Sequence, residues 1–284
     1  MCIRDRPIPN KRVERHSREE LRRLQKAFGY TYEDVRSTIL PMARTGAEPT
    51  AAMGTDIPLA VLDSREQPLF HYFKQLFAQV TNPPIDAIRE EIVTDTTVYV
   101  GDDGNLLQEK AENCRVLQIH NPILTSTDLM KIRAMNQPGF RVATVSMLYY
   151  KNTPLDRALN HLALAVDRAW REGANIIILS DRGVDENHVA IPSLLAVSHI
   201  EQHLIRTKKR TAVSILLESA EPRDVHHFAT LLGYGARAIN PYLAEETIVS
   251  LIEEGVLDKD FHTAVADYDA AILHGIVKIA SKMG

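Results

Sequence analysis

The chain contains little cysteine: only Cys2 and Cys114 among its 284 residues. Two thiols cannot build a disulfide framework or a cysteine-based metal cluster. Secreted small domains and iron–sulfur carriers are therefore poor matches for this sequence. We expect a protein of the reducing cytoplasm, where thiols stay free.

Long apolar runs and a strong net charge are also lacking. No apolar stretch approaches the roughly 18 residues that a membrane-spanning helix needs. The net charge is −4 and the isoelectric point about 6.3, so no general field attracts nucleic acid or anionic lipid. We therefore expect neither nucleic acid nor a membrane as a partner. The fingerprint GxGxxG, a P-loop and a nucleophile elbow are also missing from the sequence.

What the chain does contain is ordinary globular material, 45% hydrophobic and 25% charged, enough for one large domain or two small ones. The N-terminal end differs from the rest. Met1–Arg6 reads MCIRDR, which resembles translated sequencing adapter, and the basic residues that follow alternate with glutamates as on a solvated helix face. We predict that residues 1–16 are non-native or unstructured.

The first half of the chain predicts helices and one hairpin. Ser17 and Glu20 form the spacing of a capping box, and Thr31 with Asp34 repeats a helix start. We expect Pro41 to kink or stop the second helix. Further along, the pattern predicts a strand at Leu59–Leu62, a helix at Leu69–Val80, and a hairpin that joins Thr97–Val100 to Leu106–Leu107 through a Gly- and Asp-rich turn.

From about residue 141 strands and helices alternate. The predicted strands are Val142–Tyr150, Asn175–Leu179, Thr211–Leu217 and Ala236–Ile239, and helices separate or follow them. Alternation with short connections implies βαβ units and a parallel sheet. The predicted fold class is α/β: a mainly parallel sheet flanked by helices, either an open sheet or a partial barrel, with a helical N-terminal part and a small β-hairpin region.

Polar residues follow the predicted strands, where ligands of parallel α/β sheets collect. Ser180, Asp181 and Arg182 end one strand, and Glu218 and Ser219 end the next. Arg223 and Asp224 then precede a helix. Asp and Arg at these positions could bind an anion or hold a loop, but an ion pair plus a helix N-cap is the commoner arrangement.

Two other features look chemical but have simpler explanations. His226 and His227 are adjacent, so on a helix they point about 100° apart and do not chelate one metal together. Gly233 and Gly235 lie between a helix and the next strand, where a helix C-cap explains them better than a phosphate loop does. We predict no metal site in this chain.

The stiffest segment is Phe77–Asp86, FAQVTNPPID, in which two consecutive prolines fix a bend after an apolar run. This string resembles the central domain of the large chain of glutamate synthase. Four further strings share the resemblance, which runs from about Ser17 to Gly284: MGTDIPLAVL at residues 53–62, LSDR at 179–182, VHHFATLLGYGARAINPYLA at 225–244 and KIASKMG at 278–284.

The resemblance implies an activity for a much longer protein. Glutamate synthase converts L-glutamine and 2-oxoglutarate to two L-glutamate, with FMN, a 3Fe-4S cluster and electrons from NAD(P)H or ferredoxin. Its large chain joins an amidotransferase domain, a central domain and an FMN-binding barrel, and ammonia crosses an internal tunnel. The implied partners are those neighbouring domains and a small NAD(P)H-oxidising subunit or ferredoxin.

By the same resemblance, residues 17–265 correspond to the central domain and residues 266–284 to the truncated start of the FMN-binding barrel. Roles are implied for three groups of residues, with no catalytic residue among them. These are Met53, Gly54, Thr55 and Asp56 near 2-oxoglutarate and FMN; Thr81, Asn82 and Ser180 in the tunnel wall; and Ser281 and Lys282 at the start of the FMN domain. We expect the segment alone to make no glutamate.

Two alternatives stay open at this point. One is a stand-alone α/β enzyme in which Asp181, Glu218 and Arg223 serve as acid, base and anion clamp. The other is a free-standing, non-catalytic docking or regulatory module. The first predicts turnover by the isolated chain, and the second predicts partner binding without flavin.

Overall fold

The structure is a computed structural model that describes residues 2–3, 6–7, 13, 15–50, 59–74, 88, 92–105 and 107–283. The chain divides into two compact units, each made of separate stretches of sequence. The first unit comprises Met1–Arg15, Thr97–Glu221 and Leu231–Tyr242. The second unit comprises His16–Thr96, Pro222–Thr230 and Leu243–Gly284.

The strands of the described regions are short, with two to five residues each. They are β1 (Cys2–Ile3), β2 (Arg6–Pro7), β3 (Val98–Val100), β4 (Leu117–Ile119), β5 (Val142–Ser146), β6 (Leu148–Tyr150), β7 (Ile176–Ser180), β8 (His188–Ala190), β9 (Ser214–Glu218) and β10 (Ala238–Asn240).

The α-helices are longer and fall mainly in the second half of the chain. They are α1 (Arg18–Ala27), α2 (Leu40–Thr45), α3 (Ser126–Arg133), α4 (Leu155–Arg171), α5 (Ser193–Arg206), α6 (Val225–Gly233), α7 (Tyr242–Glu253) and α8 (Phe261–Met283). None of the helices in the described stretches is long and apolar enough to cross a membrane.

A four-stranded sheet in the order β10-β9-β7-β5 forms the centre of the first unit, and all its pairings are parallel. Every residue of β7 and β9 is buried, as expected for central strands that are covered on both faces. Three antiparallel pairs accompany the sheet: β1 with β2, β3 with β4, and β6 with β8. The predicted α/β class with a mainly parallel sheet is therefore confirmed.

Alternate strand residues divide the core of the first unit between the two faces of the sheet. Ile176, Ile178 and Leu216 join one buried cluster with Val100 of β3 and Leu129 of α3. Helices α4 and α5 pack against each other and contact β5 and β9, respectively. This two-sided cover leaves the carboxyl ends of the strands as the place where polar side chains meet.

The second unit begins with the predicted capping box. The Ser17 hydroxyl accepts from the backbone N–H of Glu20, whose carboxylate accepts from the N–H of Ser17. The next helix does not stop at Pro41, because a π-helical segment (Asp34–Ile39) precedes α2 and bonds the N–H of Leu40 to the oxygen of Val35. The wider turn accommodates a proline within a continuous helix. Helix α2 then packs against α8.

Two predicted elements near the N-terminal half are wrong. The Leu59–Leu62 strand is instead a 3₁₀ helix over Ala60–Leu62, since a short apolar run does not distinguish the two. In place of the helix predicted at Leu69–Val80, a 3₁₀ helix covers Leu69–Phe73 and the backbone is extended at Lys74. Residues 75–80 lie outside the described part of the chain.

The predicted hairpin has the wrong second strand. β3 pairs with Leu117–Ile119, whereas Leu107 lies in an exposed turn and Leu106 lies outside the described residues. The acidic turn itself is present: the Asp102 carboxylate accepts from the N–H of Gly104 at 2.7 Å.

The strand predicted at Val142–Tyr150 is two strands in two sheets. Met147 separates them: its N–H donates to the Ser180 carbonyl, and its own carbonyl accepts from the N–H of Ile191. The following helix starts at Leu155, one residue after Pro154, without a side-chain cap from Thr153.

Candidate functional site

The ends of the four parallel strands place four polar residues side by side. Ser146, Ser180, Glu218 and Asn240 are the last residues of β5, β7, β9 and β10, and the register pairs each with its neighbour. Three of them, Ser180, Glu218 and Asn240, are buried. A buried polar row at this edge must be satisfied by hydrogen bonds from within the protein.

Glu218 is the most heavily bonded member of the row. Its side chain is 3% exposed, and Oε2 accepts from Ser180 Oγ at 2.6 Å and from Arg133 Nη2 at 2.6 Å. Oε1 accepts from Arg182 Nε at 2.7 Å. Burial alone would raise the pKa of Glu218, but Arg182, Ser180 and Arg133 outweigh it and lower the pKa below the usual value. The carboxylate is therefore ionised at neutral pH.

The two arginines are held by more than the carboxylate. The Arg182 guanidinium lies over the ring of Tyr242, with 3.9 Å between Cζ and the ring centroid. Arg133 Nε donates to Thr144 Oγ1 at 3.3 Å. An ion-paired guanidinium that is also stacked, as in Arg182, or bonded to a hydroxyl, as in Arg133, has little freedom to reorient, so both cations are held beside the strand ends.

Asp181 is buried next to this ion pair but receives only neutral donors. It is 1% exposed; Ser219 Oγ donates at 2.5 Å, and the N–H of Ala220 donates at 3.1 Å and 3.0 Å to its two oxygens. Burial raises the pKa of Asp181 to about 7, against hydrogen bonds from Ser219, Ala220 and Tyr242 that lower it, while the nearby Glu221 raises it further.

These residues form what we call the strand-end cluster: Arg133, Ser180, Asp181, Arg182, Glu218, Ser219 and Tyr242. The cluster contains one carboxylate that stays charged, Glu218, and one carboxyl that titrates near neutrality, Asp181. Both the ion pair and the helix cap expected from the sequence are present: Arg182 pairs with Glu218, and the Asp224 carboxylate caps α6 by accepting from the N–H of His227 at 2.9 Å. The cluster can fix the strand ends and exchange a proton at Asp181.

Arg223 is buried and held by several contacts within the second unit. It is 4% exposed; Nη1 and Nη2 donate to the carbonyls of Phe28 and Gly29 at 3.1 Å and 2.9 Å. Nε lies 3.0 Å from Asp34 Oδ2, and the guanidinium stacks on Tyr30. These contacts favour the interpretation that Arg223 holds a turn over its use as an anion clamp.

His227 is a packed histidine. Its ring is 2% exposed and stacks on Phe70 with 4.3 Å between centroids. Burial lowers the pKa of His227 to about 3, so the ring is neutral at physiological pH. His226 Nε2 lies 2.9 Å from the Phe70 carbonyl. Within the described ranges, no three His, Cys, Asp or Glu side chains converge as they would around a metal ion.

The other predicted site residues fall in two groups. Met53, Gly54, Thr55, Asp56, Thr81 and Asn82 lie outside the described residues, so their roles stay predictions. Ser281 and Lys282 lie in α8. Ser180 is thus the one predicted tunnel residue whose surroundings are described.

A profile of the glutamate synthase central domain matches residues 23–284. That range covers most of the chain and most of each unit. The chain belongs to the glutamate synthase central domain family.

Individual relatives agree with this assignment. The chain is 46% identical over 278 residues to "Glutamate synthase [NADPH] large chain" of Bacillus subtilis, which covers 98% of this chain and 18% of the relative. It is 42% identical over 276 residues to "Ferredoxin-dependent glutamate synthase 2" of Synechocystis, with 92% and 18% covered. It is 41% identical over 271 residues to "Glutamate synthase [NADH]" of Saccharomyces cerevisiae, with 91% and 13% covered. The central domain chain thus spans less than a fifth of the length of these relatives.

Sequence reasoning missed two residues of the strand-end cluster. Arg133 binds a carboxylate 85 positions away, and nothing in its local sequence distinguishes it from other basic residues in the last turn of a helix. The other residue is Tyr242, whose place under Arg182 follows from the return of the chain after β10, which the sequence pattern does not specify.

Proposed function

We propose that the full-length protein containing this chain is a glutamate synthase that converts L-glutamine and 2-oxoglutarate to two L-glutamate. The observation that carries the proposal is the family match over residues 23–284, together with relatives that are named glutamate synthases. In this proposal the present segment is the central scaffold between the amidotransferase and FMN sites. It corresponds to residues 17–265, with residues 266–284 starting the FMN-binding barrel.

The cofactors and electron donor belong to other parts of the full-length protein. Iron–sulfur clusters are held by several Cys thiolates, and the two cysteines of this chain are too few for a 3Fe-4S cluster. FMN would be bound chiefly by the following barrel. The printed names of relatives include NADPH, NADH and ferredoxin forms, so the electron source is either a small NAD(P)H-oxidising subunit or ferredoxin.

Within this scaffold, Thr81, Asn82 and Ser180 border the ammonia tunnel, and Met53–Asp56 lies near 2-oxoglutarate and FMN. The surroundings of Ser180 support a polar wall in which the charged groups are paired with one another. Its hydroxyl proton is donated to Glu218, and the N–H of Arg182 donates to Ser180 Oγ at 3.3 Å. Ser180 therefore offers passing ammonia an acceptor oxygen in a fixed position, without a mobile charge.

A chimera tests the scaffold role. The Bacillus subtilis large chain would carry this segment in place of its own 46%-identical segment, and glutamate formation would be measured with NADPH. We expect glutamate formation within about tenfold of the parent enzyme, because the fold and the strand-end cluster are retained. A folded chimera that hydrolyses glutamine but makes no glutamate, even with added ammonia, would contradict the scaffold role. The alternative of a non-catalytic docking or regulatory module would then lead.

The tunnel role has its own test in the same chimera. Thr81→Ala and Asn82→Ala should raise the ratio of glutamine hydrolysed to glutamate formed, since ammonia would escape. Ser180→Ala should have a smaller effect. The matched control is Asn152→Ala, at an exposed turn of the first unit. An unchanged ratio in the Thr81 and Asn82 variants would remove the tunnel role and leave the scaffold role intact.

A further inference from the structure

Two carboxyl groups of the strand-end cluster lie in the same buried region, but one has cationic donors and the other has neutral donors. Glu218 has two guanidinium groups, from Arg133 and Arg182, whereas the donors to Asp181 are two hydroxyls and a backbone N–H. A buried carboxylate without a cation is expensive to keep ionised. When environments separate two neighbouring carboxyls in this way, the one without a cation is the one that holds a proton.

The two strand ends are bonded reciprocally. Ser180 at the end of β7 donates to Glu218 at the end of β9, and Ser219, the residue after Glu218, donates to Asp181, the residue after Ser180. The backbone adds a third link, because the N–H of Asp181 donates to the Glu218 carbonyl at 3.2 Å. Asp181 therefore joins β7 to the loop that leaves β9.

That loop also holds the start of a helix. The carboxylate of Glu221 caps α5 through the N–H and the hydroxyl of Ser193. Its negative charge acts on Asp181 and disfavours ionisation there. A change of charge on Asp181 is thus felt by the Ser219–Glu221 loop directly and by the first turn of α5 through Glu221.

We propose that Asp181 links the carboxyl end of β7 to the Ser219–Glu221 loop through hydrogen bonds that change when its carboxyl group gains or loses a proton. When ionised, its carboxylate accepts from Ala220, Ser219 and Tyr242 and repels Glu221. When it takes a proton from solvent, one oxygen becomes a donor that Ser219 Oγ can accept, and the repulsion of Glu221 disappears. The loop and the α5 cap therefore have two hydrogen-bonding states that differ by one proton.

The charged and titratable groups around Asp181 come from three parts of the first unit. Glu218 and Glu221 lie at the end of β9 and in the loop after it, Arg182 follows β7, and Tyr242 begins α7. Glu218 stays ionised with its arginines, and burial raises the pKa of Tyr242 above its usual value, so neither changes charge near neutrality. Of Asp181, Glu218 and Tyr242, Asp181 is therefore the group whose pKa lies near neutrality.

The test uses the full-length chain that carries this segment, titrated from about pH 5 to about pH 9. Infrared difference spectra report the C=O stretch of a protonated carboxyl, and hydrogen exchange reports the Ser219–Glu221 loop and the first turn of α5. We expect a carboxyl band that titrates in this range, disappears in Asp181→Asn, and persists in Asp185→Asn. Asp185 is the matched control because it is exposed and its pKa is about 2. Exchange in the loop should change with the same midpoint.

Two variants that keep Asp181 make the test independent of whether Asp181→Asn folds. Ser219→Ala removes a hydrogen bond to the charged form and should raise the midpoint by about one pH unit. Glu221→Gln removes the repulsion while keeping an acceptor for Ser193, and should lower the midpoint. Identical spectra for the wild-type protein and Asp181→Asn, or midpoints that do not move in opposite directions, would overturn the proposal. So would a titrating band with no change of exchange in the loop.

Discussion

Ser180 and Glu218 end two adjacent parallel strands in register, and the Ser180 hydroxyl donates to the Glu218 carboxylate at 2.6 Å. The bond fixes a carboxylate at a place where two arginines also reach it. Backbone hydrogen bonds continue for one residue past the strand ends, from the N–H of Asp181 to the Glu218 carbonyl and from the N–H of Ser219 to the Asn240 carbonyl. The side-chain cluster therefore adds to the backbone bonds in holding the sheet together at this edge.

Replacing Glu218 should destabilise this edge. Glu218→Gln keeps an acceptor for Ser180 but leaves Arg133 and Arg182 without their anion. We expect a loss of about 2–4 kcal/mol, at the lower end for a broken buried pair because both arginines retain some contact with water. Hydrogen exchange of the β7 and β9 amides in the full-length chain measures the loss. The control, Glu253→Gln, removes an exposed partner of Arg18 and should cost less than about 1 kcal/mol.

His227 should make the second unit sensitive to acid. Its pKa is about 3 in the folded protein, whereas an unfolded chain takes up the proton near pH 6.5. Between those values the unfolded chain binds the extra proton, so the free energy of unfolding falls as pH falls, by at most about 1.4 kcal/mol per pH unit. His227→Phe should flatten this dependence, measured by exchange of the α6 amides. His274→Phe, at an exposed position of α8, should keep it; equal slopes in both variants would refute the assignment.

Gly233 and Gly235 should respond differently to the same substitution. Gly235 has φ +117°, and an added Cβ would lie 2.7 Å from Glu201 Cγ, whereas Gly233 has ordinary φ and open space. We expect Gly235→Ala to cost about 1–3 kcal/mol and Gly233→Ala to be neutral or slightly stabilising. Thermal unfolding compares them. If Glu201→Ala in the same chain abolishes the cost of Gly235→Ala, the contact rather than the backbone conformation is its cause.

Arg223 should not tolerate lysine. Lysine can pair with Asp34 but cannot reach two carbonyls and stack on Tyr30 at once, because an ammonium lacks the planar fork. We expect Arg223→Ala to cost about 2–4 kcal/mol and Arg223→Lys to recover less than half of that. Exchange protection at the end of α1 measures both. Arg44→Ala, which loses one exposed bond to the Val256 carbonyl, is the control, and a comparable loss there would argue against a special role of Arg223.

The regular part of the fold was predictable because its signals are local. Continuous apolar strands such as Ile176–Ser180 and helix starts such as Pro192 are visible within a few residues of sequence. The partner of β3 was not predictable, because 16 residues separate Val100, the end of β3, from Leu117, the start of β4. A hairpin prediction assumes the nearest apolar run, and here that run is an exposed turn.

The strand-end residues could be identified by their position in the sequence, but which carboxyl group is charged could not. Asp181 and Glu218 both follow from the rule that polar groups collect at the carboxyl ends of parallel strands. Which of the two is charged depends on Arg133, contributed by a helix 85 residues earlier in the chain than Glu218. Electrostatic roles of this kind are set by tertiary contacts, and spacing in the sequence does not encode them.

The interleaving of the two units has a consequence for how the protein is made. The second unit begins with His16–Thr96 but is completed only by Pro222–Thr230 and Leu243–Gly284. During synthesis its early residues must wait for about 150 others to leave the ribosome, at roughly 5–20 residues per second. The first unit gains its last strand, β10, just before that wait ends. We therefore expect the nascent chain to expose unpaired apolar helices for several seconds, which makes this stretch of translation a natural point for chaperone binding.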